Sequence, residues 1–157
     1  MADTNQHIYP RSILNLFGLA AQKQLIDSTP TSTPLRPFNM ETVMGKVSEF
    51  RIRDLSEEYK HLASVFIGLT NHLAQMPILE KALITALSKI IKENNIKSTY
   101  QEIITELIRI GVLYVYNYHK KDAQLRYHTP DLYLWGLNLR RGGPGAYQDL
   151  IKKKLKR

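Results

Sequence analysis

The chain contains no cysteine among its 157 residues. Disulfide bonds and thiolate-bound metal sites are therefore excluded, and a reducing compartment such as the cytoplasm is expected. No apolar run approaches the ~20 residues that a membrane-spanning helix needs, and the polar residues 1–6 do not have the form of a signal peptide. These absences predict a cytoplasmic protein with no membrane contact.

The sequence also lacks the common motifs of catalysis and cofactor binding. It has neither form of glycine-rich phosphate-binding loop and no G-x-S-x-G nucleophile turn. The one glycine-rich stretch, 140–145, contains Pro144, which has no N–H to offer a phosphate, and it is predicted to be a flexible turn. No two of the five histidines are three or four residues apart, the spacing that a helical metal site requires. We therefore predict no enzyme activity, no metal and no other cofactor.

The net charge of +8 comes entirely from the second half of the chain. Basic and acidic side chains cancel over residues 1–78, whereas residues 79–157 carry fifteen basic and seven acidic ones. Much of the excess lies in residues 140–157, which include Lys152, Lys153 and Lys154. Such a tail has two interpretations: a solvated chain end, or an arm that binds phosphates with an affinity that falls as salt rises.

Helical periodicity dominates the first half. Pro10 can begin a helix, and apolar residues recur at helical spacing over 10–26. Three prolines then predict a linker over 27–38. Asn39 is the expected N-cap of a second helix, which has a possible kink or break at 51–57. Helical character returns over 58–74 and stops before Pro77.

The periodicity is strongest between residue 78 and a glycine at position 111. One helix has a continuous apolar stripe: Leu79, Ala82, Leu83, Ala86, Leu87, Ile90 and Ile91. It ends at Asn94-Asn95, and Ser98 with Gln101 has the form of a capping box for the next helix. That helix is expected to end at Gly111, because glycine readily adopts the left-handed conformation of a helix C-terminus.

After Gly111 the apolar period changes from 3.6 to 2, which predicts a β-hairpin with strands in 112–118 and 125–128. A tip at Lys121-Asp122 would pair His128 with Val115 and His119 with Gln124. Alternate residues then share one inward face: Tyr114, Tyr116, Tyr118, Leu125 and Tyr127. This tyrosine row is either a buried face or an exposed platform for base stacking.

The order helix, helix, glycine, hairpin is that of a winged helix. We therefore predict a mainly α-helical protein with a small β-hairpin, in which a lid-like helical bundle precedes a winged helix-turn-helix. The expected division is a lid-like segment at 1–57, a winged-helix domain at 58–139 and a basic tail at 140–157.

A winged helix has two surfaces that could bind duplex DNA. The last helix carries Lys97, Gln101, Thr105 and Arg109 at intervals of four, which suits contacts to phosphates and base edges. The hairpin adds Lys120 and Lys121 at its tip and Arg126 on its outer face, and the basic tail adds unspecific attraction. Glu102 and Glu106 flank the helical stripe and would repel DNA. Docking onto a protein, dimerisation, or no dedicated partner therefore remain alternatives.

The first half resembles the helical lid of AAA+ and related signalling P-loop ATPases. The matching residues are Tyr9-Pro10-Arg11-Ser12-Ile13-Leu14-Asn15-Leu16-Phe17, then Ala20-Ala21, then Phe38-Asn39-Met40-Glu41-Thr42-Val43. In origin-recognition initiators and predicted bacterial P-loop ATPases of this kind, a winged helix follows the lid.

The resemblance implies that Arg11 senses nucleotide phosphates and that a P-loop ATPase domain is a partner. The nucleotide-binding Walker segments are missing, so the chain would be either the C-terminal part of a longer ATPase or a free-standing relative. Simple pairing of Arg11 with a helix-face carboxylate is the alternative.

Overall fold

The computed structural model describes residues 9–27, 35, 37–115 and 125–142. The helices are α1 (Pro10–Asp27), α2 (Pro37–Glu58), α3 (Ala63–His72), α4 (Glu80–Glu93), α5 (Tyr100–Arg109) and α6 (Asp131–Leu134), with one 3-10 turn at Lys60–Leu62. The strands are β1 (Gln75–Met76), β2 (Ile78–Leu79), β3 (Tyr114–Val115), β4 (Arg126–His128) and β5 (Arg140–Arg141). The protein is therefore mainly α-helical with short β-strands, as the sequence predicts.

Helices α1 and α2 form an antiparallel hairpin. At one end, the amide of Asn39 donates a hydrogen bond of 3.3 Å to Gln24. At the other, the guanidinium of Arg51 lies 3.6 Å from the centre of the Tyr9 ring. The face of α1 that packs on α2 buries Ser12 and Ala20. These small side chains allow the two helix axes to approach closely.

The second helix differs from its prediction in two respects. It begins at Pro37, so Asn39 lies inside the first turn, buried and bonded to α1, and is not the N-cap. Proline suits this first position because its missing N–H has no partner in a helix and its fixed φ matches the helical value. The helix also continues without a break through residues 51–57. Arg51 and Leu55, in the part of the helix that was expected to break, are both buried. Their packing keeps this part of α2 regular.

The second half has the topology of a winged helix. Three helices, α3, α4 and α5, pack around one core, and a three-stranded antiparallel sheet closes it in the order β2-β4-β3. The first strand of this sheet, β2, comes from the segment between α3 and α4, where the sequence indicated only the start of a helix. Its Ile78 pairs with Tyr127, and the Glu80 N–H donates to the Leu125 carbonyl at 2.9 Å.

The core is continuous between the two halves. Its members are buried apolar side chains from α2 to the residues after α6: Leu55, Leu62, Val65, Phe66, Leu69, Leu83, Leu87, Ile90, Ile103, Leu107, Leu113, Tyr127, Leu132, Tyr133 and Leu137. The segment 132–139 returns to the helices, as its apolar content predicts.

Helix α2 and the segment 132–139 approach each other closely at Gly136. The Gly136 N–H donates a hydrogen bond of 2.7 Å to the hydroxyl of Ser48, which is fully buried. A Cβ atom at position 136 would lie 2.5 Å from the Ser48 carbonyl oxygen. Only a residue without a side chain allows this approach of the two backbones.

The N-terminus of α5 is capped by Thr99 and not by the predicted Ser98. The Thr99 hydroxyl accepts the Glu102 N–H at 3.3 Å, and the Glu102 carboxylate accepts the Thr99 N–H at 2.7 Å. This reciprocal pair is a capping box, displaced by one residue from the Ser98 and Gln101 prediction. Ser98 with Gln101 and Thr99 with Glu102 both have the spacing of a capping box, so the sequence alone did not show which pair forms it.

We expect Thr99→Ala to lower the free energy of unfolding by about 1–2 kcal/mol, because it removes the acceptor for a helix N–H. Ser98→Ala deletes the same atom one residue earlier and should change stability by less than about 0.5 kcal/mol. Urea denaturation of both variants measures the difference. Equal losses would contradict the capping assignment.

The hairpin begins as predicted but pairs one residue out of register. Gly111 has a φ of 77°, and its neighbours' N–H groups return to the last carbonyls of α5. Tyr114 then pairs with His128 and Val115 with Tyr127, in place of the predicted Val115–His128 pair. A slip of one residue exchanges the two faces of a strand. Tyr114 and Tyr127 therefore lie on opposite faces and do not form one inward row, while Tyr116 and Tyr118 lie outside the described residues.

Candidate nucleic-acid interface

The outer face of α5 presents the first three residues of the predicted stripe to solvent. Lys97 lies in the turn before the helix, and Gln101 and Thr105 follow on consecutive turns, all exposed. Within the described part of the chain, none of the three has a hydrogen bond or ion pair. They are therefore available for contacts with another molecule.

Arg109, the fourth member of the stripe, has contacts within the chain. Its guanidinium donates to Glu106 at 3.1 Å and lies 5.7 Å from the centre of the Tyr59 ring. Glu106 also accepts a hydrogen bond of 2.9 Å from His61, in the 3-10 turn before α3. Arg109 therefore helps to hold α5 against the turn before α3, and the freely exposed stripe is shorter than predicted.

Both glutamates of α5 serve the fold. Glu102 completes the capping box, and its charge lies at the N-terminus of α5, where the helix dipole is positive. Glu106 has cationic or hydrogen-bonding partners on two sides. The sequence suggested that these carboxylates would repel DNA. In the structure Glu106 is paired with His61 and Arg109, whereas Glu102 is exposed and its hydrogen-bond partner, Thr99, is neutral.

The hydrogen bond from His61 lowers the pKa of Glu106 below its ordinary 4.5, and Arg109 acts in the same direction against the opposing effect of burial. A carboxyl whose pKa is lower in the folded protein stabilises the fold above pH 4.5 and loses that contribution as pH falls through its folded-state pKa. We expect the unfolding free energy of the wild type to fall more steeply below pH 4.5 than that of Glu106→Gln. Urea denaturation between pH 3 and 7 measures this. An equal slope of unfolding free energy against pH below 4.5 in the two proteins would contradict it.

The wing contributes less to the described surface than predicted. Arg126 lies on the central strand, half-buried, opposite Leu79, and has contacts of its own. On the same strand, His128 is buried, stacks on Tyr114 at 5.4 Å between ring centroids and accepts the Thr129 N–H. Burial lowers the pKa of His128. Lys120, Lys121, Lys152, Lys153 and Lys154 lie outside the described residues.

Arg11 lies at the edge of a separate cleft between the start of α1 and the end of α2. The cleft has a volume of 490 Å³, and its lining residues are Tyr9, Pro10, Arg11, Ser12, Arg51, Asp54, Glu57 and Glu58. The Arg11 side chain is 78% exposed and approaches Asp54 to 3.8 Å. The contact is the simple carboxylate pairing considered as an alternative, and carboxylates outnumber guanidinium groups in the cleft. Arg51 is stacked and buried, so little positive charge faces this space.

Sequence reasoning missed several residues that shape these surfaces. The lysines at positions 81, 89 and 92 are exposed on α4, the helix before α5, and were not included in the predicted binding residues. His61 and Tyr59 contact α5 from the segment 58–74, which was predicted only to be helical, and no sequence signal links them to Glu106 or Arg109. Residues far apart in the chain meet here through tertiary packing alone.

The described residues contain neither a cluster of three possible metal ligands nor a helix that could span a membrane. No group of three histidine, aspartate or glutamate side chains there could hold a metal ion. No helix within the same ranges is both long and apolar enough to cross a bilayer. Comparison with protein-family models, curated proteins and solved structures finds no match to the chain.

Proposed function

We propose that this chain is a non-enzymatic winged-helix module that binds duplex DNA through α5. The observation that carries the proposal is the exposed and unengaged row of Lys97, Gln101 and Thr105 on the second helix of a helix-turn-helix. In such a fold this helix enters the major groove with its N-terminal residues nearest the bases. Lysine suits a phosphate, and glutamine and threonine suit base edges.

The distribution of charge supports the proposal. The exposed lysines of α4 add cations to the same helix-turn-helix, and the adjacent glutamates have partners within the fold. Lys120, Lys121, Arg126 and the basic tail, with Lys152, Lys153 and Lys154, would add phosphate contacts. Affinity arising in this way weakens with salt, because each neutralised phosphate releases a counterion.

Fluorescence anisotropy with duplex DNA at several salt concentrations tests the proposal. We expect binding at low salt, a negative slope of log affinity against log salt, and a slope about one unit shallower for Lys97→Ala. Absence of binding at 50 mM salt would exclude DNA as the partner. A slope unchanged by Lys97→Ala would exclude α5 as the contact surface.

Coupling to a P-loop ATPase domain is a second candidate, carried by the exposure of Arg11 in the first turn of α1. By resemblance, Arg11 would reach a nucleotide held by another domain. Addition of the chain to a P-loop ATPase with the same lid pattern should then change its turnover, and Arg11→Ala should abolish the change. If the Arg11→Ala variant changed ATPase turnover as much as the wild type does, this role would be excluded.

A further inference from the structure

The face of α1 that points away from α2 is apolar. The helix buries Ser12 and Ala20 against α2, which turns Leu14 and Leu25 to solvent with 71% and 65% of their surface exposed. No charged side chain occurs between residues 12 and 22. An exposed apolar helix face without charge is typical of a surface that binds another protein.

Four residues form the centre of this face: Leu14, Gly18, Ala21 and Leu25. Their spacing of four, three and four residues is that of the seam of a coiled coil. Gly18 is exposed, and a Cβ atom added to it would meet nothing within 4 Å. Phe17 lies beside the seam, and Ile26 and Phe38 add exposed apolar surface where α1 ends and α2 begins.

The order of side-chain sizes along this seam is symmetric: large, small, small, large. If a second α1 lies antiparallel, with the symmetry axis between positions 19 and 20, Leu14 meets the partner's Leu25 and Gly18 meets the partner's Ala21. Two large residues then pack at each end, and the two small residues allow close approach in the middle. A two-fold interface must be complementary to itself in this way, whereas a different partner requires no such symmetry.

We propose that this seam is the interface of a homodimer, in which α1 of one chain packs antiparallel on α1 of a second copy. Each α1–α2 hairpin supplies two helices, so the two copies together form a four-helix arrangement. None of the seam residues lies on α5, so the dimer and the proposed DNA contact use different surfaces. The dimer does not depend on DNA binding, and either property can fail without the other.

Sedimentation equilibrium of the full chain between 1 and 100 µM tests the dimer. We expect reversible dimerisation, weakened about 100-fold or more by Leu14→Glu, which buries a carboxylate against an apolar surface in both halves of the interface. The matched control is Ile67→Glu on α3, because Ile67 is exposed to a similar degree, 66%, and lies outside the seam. This control should dimerise like the wild type. Circular dichroism checks that both variants remain folded.

Cysteine cross-linking tests the antiparallel alignment, because the natural chain contains no cysteine. Positions 14 and 25 are about 16 Å apart along one helix, so the double variant Leu14→Cys/Leu25→Cys can form disulfides only between copies. We expect this variant to form covalent dimers on mild oxidation far more completely than either single variant. A monomeric wild type at 100 µM, a dimer insensitive to Leu14→Glu, or efficient cross-linking by Leu14→Cys alone would each overturn the proposal.

Discussion

Replacement of Gly136 by alanine is expected to lower the free energy of unfolding by about 3 kcal/mol. The new methyl group would lie 2.5 Å from the carbonyl oxygen of Ser48, a backbone atom that cannot rotate away. Helix α2 and the segment after α6 must separate to admit it, which disturbs core packing and weakens the hydrogen bond from Gly136 to Ser48. In a chain of this size the midpoint of thermal unfolding should fall by roughly 10 °C.

Gly45→Ala is the matched control for this prediction. Gly45 lies within α2, whereas Gly136 follows α6, and a Cβ atom at position 45 meets nothing within 4 Å. The same substitution should therefore raise stability by about 0.5–1 kcal/mol, because alanine is the better helix former. Thermal and urea denaturation of the two variants should give shifts of opposite sign. A Gly136→Ala protein as stable as the wild type would contradict the close approach of α2 and this segment.

A glutamate in place of Thr105 is expected to reduce affinity for duplex DNA by about 30-fold or more. Thr105 lies in the middle of the exposed face of α5, so a carboxylate there would meet phosphates or the acceptor groups of base edges. The effect should exceed that of Lys97→Ala, since it adds repulsion as well as removing a contact. Anisotropy titrations at one fixed salt concentration measure it.

Asn71→Glu on α3 is the control for net charge. Asn71 is exposed and lies on another helix, so this variant changes the total charge by the same amount without altering α5. Its affinity should fall by less than about threefold. If Thr105→Glu and Asn71→Glu weaken binding equally, the attraction arises from total charge, and α5 is not the recognition helix.

The sequence predicted the helices and the hairpin where local physical chemistry is decisive. The strong periodicity of α4 and α5 and the glycine at 111 reflect backbone and burial preferences within a few residues. The unpredicted strand β2 depends instead on pairing with β4, which lies nearly fifty residues later. Its two residues, Ile78 and Leu79, are apolar in either a strand or a helix, so no local pattern identified them.

The candidate site was predictable in part. The exposure of Lys97, Gln101 and Thr105 follows from the apolar stripe on the opposite side of α5. The hydrogen bond between His61 and Glu106 does not, because it requires the 3-10 turn before α3 to pack against α5. The exposure of Leu14 and Phe17 on α1 was not predictable either, because it depends on which side of α1 packs on α2.

The parallel pairing of β5 with β1 fixes the position of the first residues of the basic segment 140–157. Arg140 and Arg141 pair with Gln75 and Met76, and the Gly142 N–H bonds to the Met76 carbonyl, one residue before the segment that leads into β2 and α4. A fully extended chain of the fifteen residues that follow Gly142 would reach at most about 50 Å from it. If α5 binds a polyanion as proposed, this covalent link would give the C-terminal lysines a high effective concentration near it.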